Sequence, residues 1–305
     1  MSDEKSLVSV GEISKPATVL VEKIADAIGG VFKPYQIVRV ARAEAEAEII
    51  RAEAQIKIED IHKRALHRFL QEEARKQANI EEITRRALPE VKENAAPEKL
   101  ETDWITNFFD KCRLISNEQM QVLWSRALAG EANSPGAFSK RTIDLLASLD
   151  RQDTELFTSM ASFCWMFGSL TPLIFDEQDQ IYNARGITFN SLQHLESIGL
   201  VQFGTFGGFK RLRLPKVFRI FYYGSALELR CPNEKDNEIE LGKVLLTKAG
   251  MQLAPICGSA AEPAFYDYVE AKFRTMGLVP PRPEPAQPDQ SGPQPDPDPL
   301  TTEAG

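Results

Sequence analysis

Few residues in this chain have types and spacings that could do chemistry, and each reads as structural when weighed. His62 and His67 stand five apart in a helix-forming stretch, which sets them about 140° apart around the axis, so they cannot share a metal ion. His194 has no visible partner in the sequence. Glu234, Asp236, Glu238 and Glu240 could gather a hard cation, but beside Pro232-Asn233 they read as a solvated turn. Cys112, Cys164, Cys231 and Cys257 lie far apart with no C-x-x-C pair, as in a reducing, cytoplasmic compartment. Phosphate-loop, nucleophile-elbow and zinc-protease spacings are absent. The expectation is a protein that is not an enzyme, with no catalytic residue, cofactor or metal.

The remaining chemistry is electrostatic. Lys210, Arg211, Arg213, Lys216 and Arg219 crowd a strand-like stretch and could neutralise phosphates. The helix before them, Asn190 to Ser197, offers Gln193, His194 and Glu196 but no Arg or Lys to read base edges. A formal net charge of −8 gives the whole molecule no pull toward nucleic acid. DNA is therefore an alternative partner rather than the favoured one.

These residues are positioned by a chain of unusual layout. From about Ala41 to Leu88 it reads as one long charged helix. Acid-to-base pairs four apart recur at Glu53/Lys57, Glu59/Lys63, Asp60/Arg64, Glu72/Lys76, Glu81/Arg85 and Glu82/Arg86, each adding about 0.2 to 0.5 kcal/mol when exposed. Its apolar seam, Ala47, Ile50, Ala54, Ile58, Ile61, Ala65 and Phe69, steps by threes and fours with an eleven-residue repeat that suits a nearly straight rod. At 1.5 Å per residue the rod is roughly 70 Å long, more than a small domain covers. The seam calls for a second copy or another helix of the chain; a solvated spacer helix is the plainer alternative.

Before the rod, Ala17 to Phe32 makes a short apolar helix. It suits packing on the protein's own helices or on a partner subunit better than a membrane surface, because its polar face is thin and poor in basic residues. After Pro89 a polar linker leads to helices whose Trp104, Phe108, Phe109, Trp124 and Trp165 read as core. Asp103 is the expected cap of the helix through Arg113, and Ser116 with Gln119 a capping box for the one ending near Gly130. Asp150 caps a helix expected to reach Phe167. From Leu170 the period turns strand-like, with a hairpin expected from Thr171–Phe175 and Gln180–Asn183. Then come a helix from Phe189 to Ile198 capped by Thr188 and ended by Gly199, strands around Leu200–Phe203, Phe209–Leu214, Val217–Tyr223, Ala226–Arg230 and Ile239–Leu246, and the run Leu246-Thr247-Lys248-Ala249-Gly250-Met251-Gln252-Leu253, the order of a winged helix with an overlong wing. The segment from Pro280 to Gly305 is rich in proline and acids and is expected to be disordered.

The reading is mainly α with a C-terminal α+β part. Residues 1–36 form an apolar helix segment, 37–89 the long charged helix, 100–168 a helical core, 169–276 a winged-helix-like domain and 277–305 the tail. The stretches Ser14–Leu20, Gly29–Phe32, Ala41–Ala54, Asp103–Arg113, Leu128–Glu131 and Phe138–Thr142 resemble an uncharacterised bacterial family, domain of unknown function 2806, over most of the chain to about Phe273. That family implies no activity. Leu123–Ala129 and Leu145–Asp150 are similar to the abortive-infection alpha proteins of bacterial phage defence. The expected function is a self-associating interaction protein of bacteria, forming a homo-oligomer through the long helix and meeting an unknown protein partner, with phage defence as its setting; the alternative is a DNA-binding regulator.

Overall fold

The computed structural model of the protein describes residues 14–28, 60–205 and 207–280. The expectations for Ala47, Ile50, Ala54, Ile58 and for the tail from 281 onward lie outside these residues. Among the described residues there are ten α-helices and eight strands, and every strand follows residue 163. The class is therefore mainly α with a C-terminal α+β part.

Helix α1 (Lys15–Ile28) buries Ala17, Leu20 and Ile24, a step of three and then four that makes one stripe, and lays it on α3 (Thr102–Cys112). The face that a membrane interface would take is thus occupied by protein. Helix α2 (Asp60–Ala87) buries Ile80, Ile83 and Ala87 against α4 (Glu118–Asn133) and leaves the body over its first five turns. At the point of departure Asn79 donates to the Arg113 carbonyl (2.9 Å), and Gln121 donates to Asn79 (3.3 Å) and to the Ile115 carbonyl (2.9 Å). Buried amides satisfied in this way fix the register of α2 on the body. The aromatic core is as expected: Trp104 stacks on Phe108 at 5.1 Å, Trp124 meets Phe108 edge-on at 5.0 Å, and Trp165 is fully buried.

Helix starts differ from the sequence reading by small offsets. Asn117, not Ser116, caps α4 by accepting from the Met120 amide, and α3 begins at Thr102 with Asp103 already inside its first turn. Gly130 does not end α4, which runs on to Asn133. Ser139 caps α5 (Lys140–Ser148), and Asp150 caps α6 (Arg151–Ala161) in a reciprocal capping box with Asp153.

Two expectations are corrected. The helix expected to reach Phe167 stops at Ala161, and Cys164–Phe167 is strand β1, paired antiparallel with β2 (Ser169–Pro172) across Gly168 at φ 72°. The aromatic run there satisfies helical and strand periods alike, and pairing with β2 on one side and with Phe221 on the other selects the strand. The hairpin expected around Asp176 does not form: β2 ends at Pro172, and beyond it the Ile174 carbonyl accepts from the Lys243 amide at 2.7 Å. Gln180–Asn183 is instead the one-turn helix α7, whose Tyr182 hydroxyl donates to the Leu173 carbonyl at 2.7 Å.

Helix α8 (Phe189–Ser197), capped by Thr188 and closed by Gly199, leads to β3 (Val201–Phe203). The chain then runs through β4 (Phe209–Leu214), β5 (Val217–Tyr222), β6 (Ser225–Arg230), β7 (Asn237–Gly242) and β8 (Val244–Leu246) to α9 (Lys248–Leu253). Pairing is nested: β3 with β8, β4 with β7, β5 with β6, all antiparallel. This is the helix–strand–wing–strand order, with the wing lengthened until its tip folds back onto β1 and completes a sheet of order β2-β1-β5-β6. The single strand expected from Ile239 to Leu246 is split at Gly242 (φ 100°), where a Cβ would stand 2.2 Å from the Ile174 carbonyl oxygen. Helix α10 (Phe265–Thr275) seats Phe265 edge-on against Phe163 at 4.9 Å. One continuous set of buried apolar side chains runs from Ala17 to Leu278, so the helical and α+β parts share a core.

Candidate interaction surface

The most distinctive sequence stretches converge on one buried node. The Trp104 indole N–H donates to the Phe138 carbonyl at 2.7 Å. The Glu131 carboxylate, itself buried, accepts from the Gly136 and Phe138 amides at 2.7 Å each and so closes the turn between α4 and α5. The Phe138 ring lies where a Cβ on Gly130 would be, 2.7 Å from that position. Gln252 of α9 accepts from the Ser139 amide (3.3 Å) and from the Thr142 hydroxyl. Burial pushes the Glu131 carboxyl above its usual range, and the amides pull it back in part. These contacts join α3, α4, α5 and α9, and all of them end on backbone or on one another. The node holds the fold.

The groups singled out for chemistry are also spent on structure. His194 does have a partner, Asp153 at 2.6 Å, which is the same carboxylate that closes the α6 capping box. They are 41 residues apart, so no local pattern could have shown it. Glu238 and Glu234 pair with Lys210 and Lys216 rather than gathering a cation, and among the described residues no group of three or more His, Cys, Asp or Glu is placed to hold one. All four cysteines are free thiols. Burial raises Cys164 and Cys112 well above the ordinary thiol range, which disfavours the nucleophilic thiolate.

The basic strand face is mostly neutralised. Lys210 meets Glu238 at 2.7 Å and Lys216 meets Glu234 at 2.5 Å, while Arg219 only shares Glu228 with Arg230, at 3.3 and 3.0 Å. Arg211 lies over the Phe167 ring, 5.4 Å from its centroid, and reaches Ser169 at 3.3 Å. Arg213 sits at φ 60° in an irregularity of the β4–β7 pairing, which turns it and Leu212 to solvent together. Such ion pairs withdraw the cations from phosphate contact at little gain in stability.

One feature left exposed and apolar is the outward half of α2. Ile61 and Phe69 are 61% and 57% exposed, and Ala65 between them is exposed as well. At 3.6 residues per turn these three fall in the same arc of about 100° that holds Ile80, Ile83 and Ala87. The stripe that anchors the helix in the core therefore continues past the body, interrupted by the Lys76–Glu73 pair (2.6 Å). Leu66, half-buried and three residues before Phe69, borders it, and that helical spacing was the signal for it. Of the pairs expected within the described residues, Asp60–Arg64 (3.2 Å) and Glu82–Arg86 (2.5 Å) form. Glu72 turns to Arg68 (3.5 Å) instead, Lys76 to Glu73, and Arg85 to Glu82 (2.6 Å), because partners three and four residues away compete on one helix face.

No helix of the described residues is long and apolar enough to cross a membrane. The model of a family described as protein of unknown function, DUF2806, matches residues 63–270, more than half of the chain and including the exposed turns of α2 from Lys63 onward. No curated protein and no solved structure matches.

Proposed function

For a chain that belongs to the DUF2806 family of proteins of unknown function, we propose a non-enzymatic role: an interaction protein that associates with a second copy of itself through the outward half of α2. The observation that carries this reading is the continuation of the core-facing stripe into solvent as Ile61, Ala65 and Phe69. Two large apolar side chains on an exposed, ion-paired helix gain roughly 1.5 to 3 kcal/mol each when covered. Ala65 between them lets a facing helix approach closely, and a second copy offers the same surface in a self-complementary arrangement. The alternative of a DNA-binding regulator has less behind it, since Lys210 and Lys216 already hold carboxylates. A setting in phage defence rests on the likeness of Leu123–Ala129 and Leu145–Asp150 alone, and those residues build the helical body.

Sedimentation velocity of the full chain tests this. Removing everything before Leu100 would strip Ile80, Ile83 and Ala87 from the core, so surface changes are the cleaner tool. The full chain of 34.1 kDa is expected to sediment as a dimer or larger species, and the double change Ile61→Glu with Phe69→Glu to weaken association by about 100-fold. A monomer throughout, or an oligomer indifferent to the two glutamates, ends the proposal.

A further inference from the structure

A second exposed apolar feature lies on the four-stranded sheet. The outer face of the sheet β2-β1-β5-β6 carries Leu170, Met166, Phe221 and Ala226 as one row, each directly opposite the next across three strand pairs. Met166 and Phe221 are 46% and 43% exposed. Beside the row Arg219 and Arg230 lean on one carboxylate, Glu228, at 3.3 and 3.0 Å, so two cations share a single anion. The face is thus apolar with an excess of positive charge.

The described chain ends next to this face. The Arg230 amide at the end of β6 donates to the Leu278 carbonyl at 2.7 Å, which brings the chain to Pro280 alongside the sheet's edge strand. The 25 residues that follow, 281–305, hold eight prolines and five acidic residues against the single Arg282. Proline-rich segments prefer an extended helix rising about 3.1 Å per residue and bind surfaces lined with aromatic and apolar side chains. Four strands at about 4.8 Å spacing are crossed in roughly five such residues, so reach is no obstacle.

We propose that the segment 281–305 of the same chain docks across this outer sheet face, its prolines on Met166 and Phe221 and its carboxylates on Arg219 and Arg230. The tether makes the contact intramolecular, so a weak intrinsic affinity suffices to keep the face covered. Docking there shields the row Leu170–Met166–Phe221–Ala226 from other chains and answers the surplus guanidinium. This site is separate from the α2 stripe and stands or falls independently of it.

Photo-crosslinking in the full chain tests it. With the photoreactive residue benzoylphenylalanine in place of Phe221, irradiation is expected to give an adduct of monomer mass, mapped by mass spectrometry to peptides within 281–305, in the same yield at high and low protein concentration. Placing the photoreactive group at position 166 instead is expected to give the same peptides and guards against a folding defect at 221. Adding Arg219→Glu is expected to lower the yield by about threefold. An adduct of dimer mass assigns the face to a second copy, and an adduct to co-purified nucleic acid assigns it to that. Either of those, or no tail adduct from both positions, overturns the proposal.

Discussion

Replacing Glu131 by Ala is expected to lower the unfolding free energy by about 3 kcal/mol, as read from urea denaturation at neutral pH. The carboxylate accepts from the Gly136 and Phe138 amides at 2.7 Å each and so closes the turn before α5. Its loss leaves the buried Phe138 amide unpaired, returns the amide of the exposed Gly136 to water and releases the Phe138 carbonyl to which Trp104 is tied. The sign of the pH dependence follows from burial. Because the folded carboxyl titrates above its unfolded value, its contribution is full below the ordinary carboxylate range and declines as the pH rises through the folded pKa. The gap between wild type and Glu131→Ala should therefore narrow from acid toward neutral pH, and a gap that widens contradicts the assignment.

Gly250→Ala is expected to cost about 3 kcal/mol, although alanine is the better helix former by about 1 kcal/mol. A Cβ at this position would lie 2.1 Å from the Leu200 carbonyl oxygen, a backbone atom that cannot turn aside. The same carbonyl accepts from the Thr247 amide at 3.1 Å, and the Thr247 hydroxyl caps α9 by accepting from the Gly250 amide at 3.1 Å. Gly250 is thus the point where α9 meets the strand leaving α8, and pushing them apart disturbs β3 and β8 together. Gly207→Ala, where nothing lies within 4 Å, is the matched control and should change the midpoint little. Equal melting temperatures for the two variants would sink the explanation.

Legibility in the sequence followed range. Features set within a few residues could be read directly: the Asp150 and Thr188 caps, the Gly199 stop, strands β4 to β6, and the amphipathic stripes of α1 and α2. Features set by distant partners could not. Cys164–Phe167 is a strand because β5 and β2 lie on either side of it, and Gln180–Asn183 is a helix because Tyr182 reaches back to Leu173. The Glu131 node draws its partners from α3, from the turn before α5 and from α9, so its sequence stretches stood out as a resemblance with no visible purpose. For the surfaces, the α2 stripe was readable from its spacing, whereas the row through Met166 and Phe221 exists only once the lengthened wing folds back.

Amide hydrogen exchange of the full chain, measured at a series of protein concentrations, tests self-association at the place where it is assigned. The first five turns of α2 bury no side chain among the described residues, so the amides of residues 61–70 should exchange readily when dilute and gain protection as concentration rises. The amides of residues 80–87, locked in the core, should keep one rate throughout. Protection of 61–70 that does not change with concentration would contradict the account.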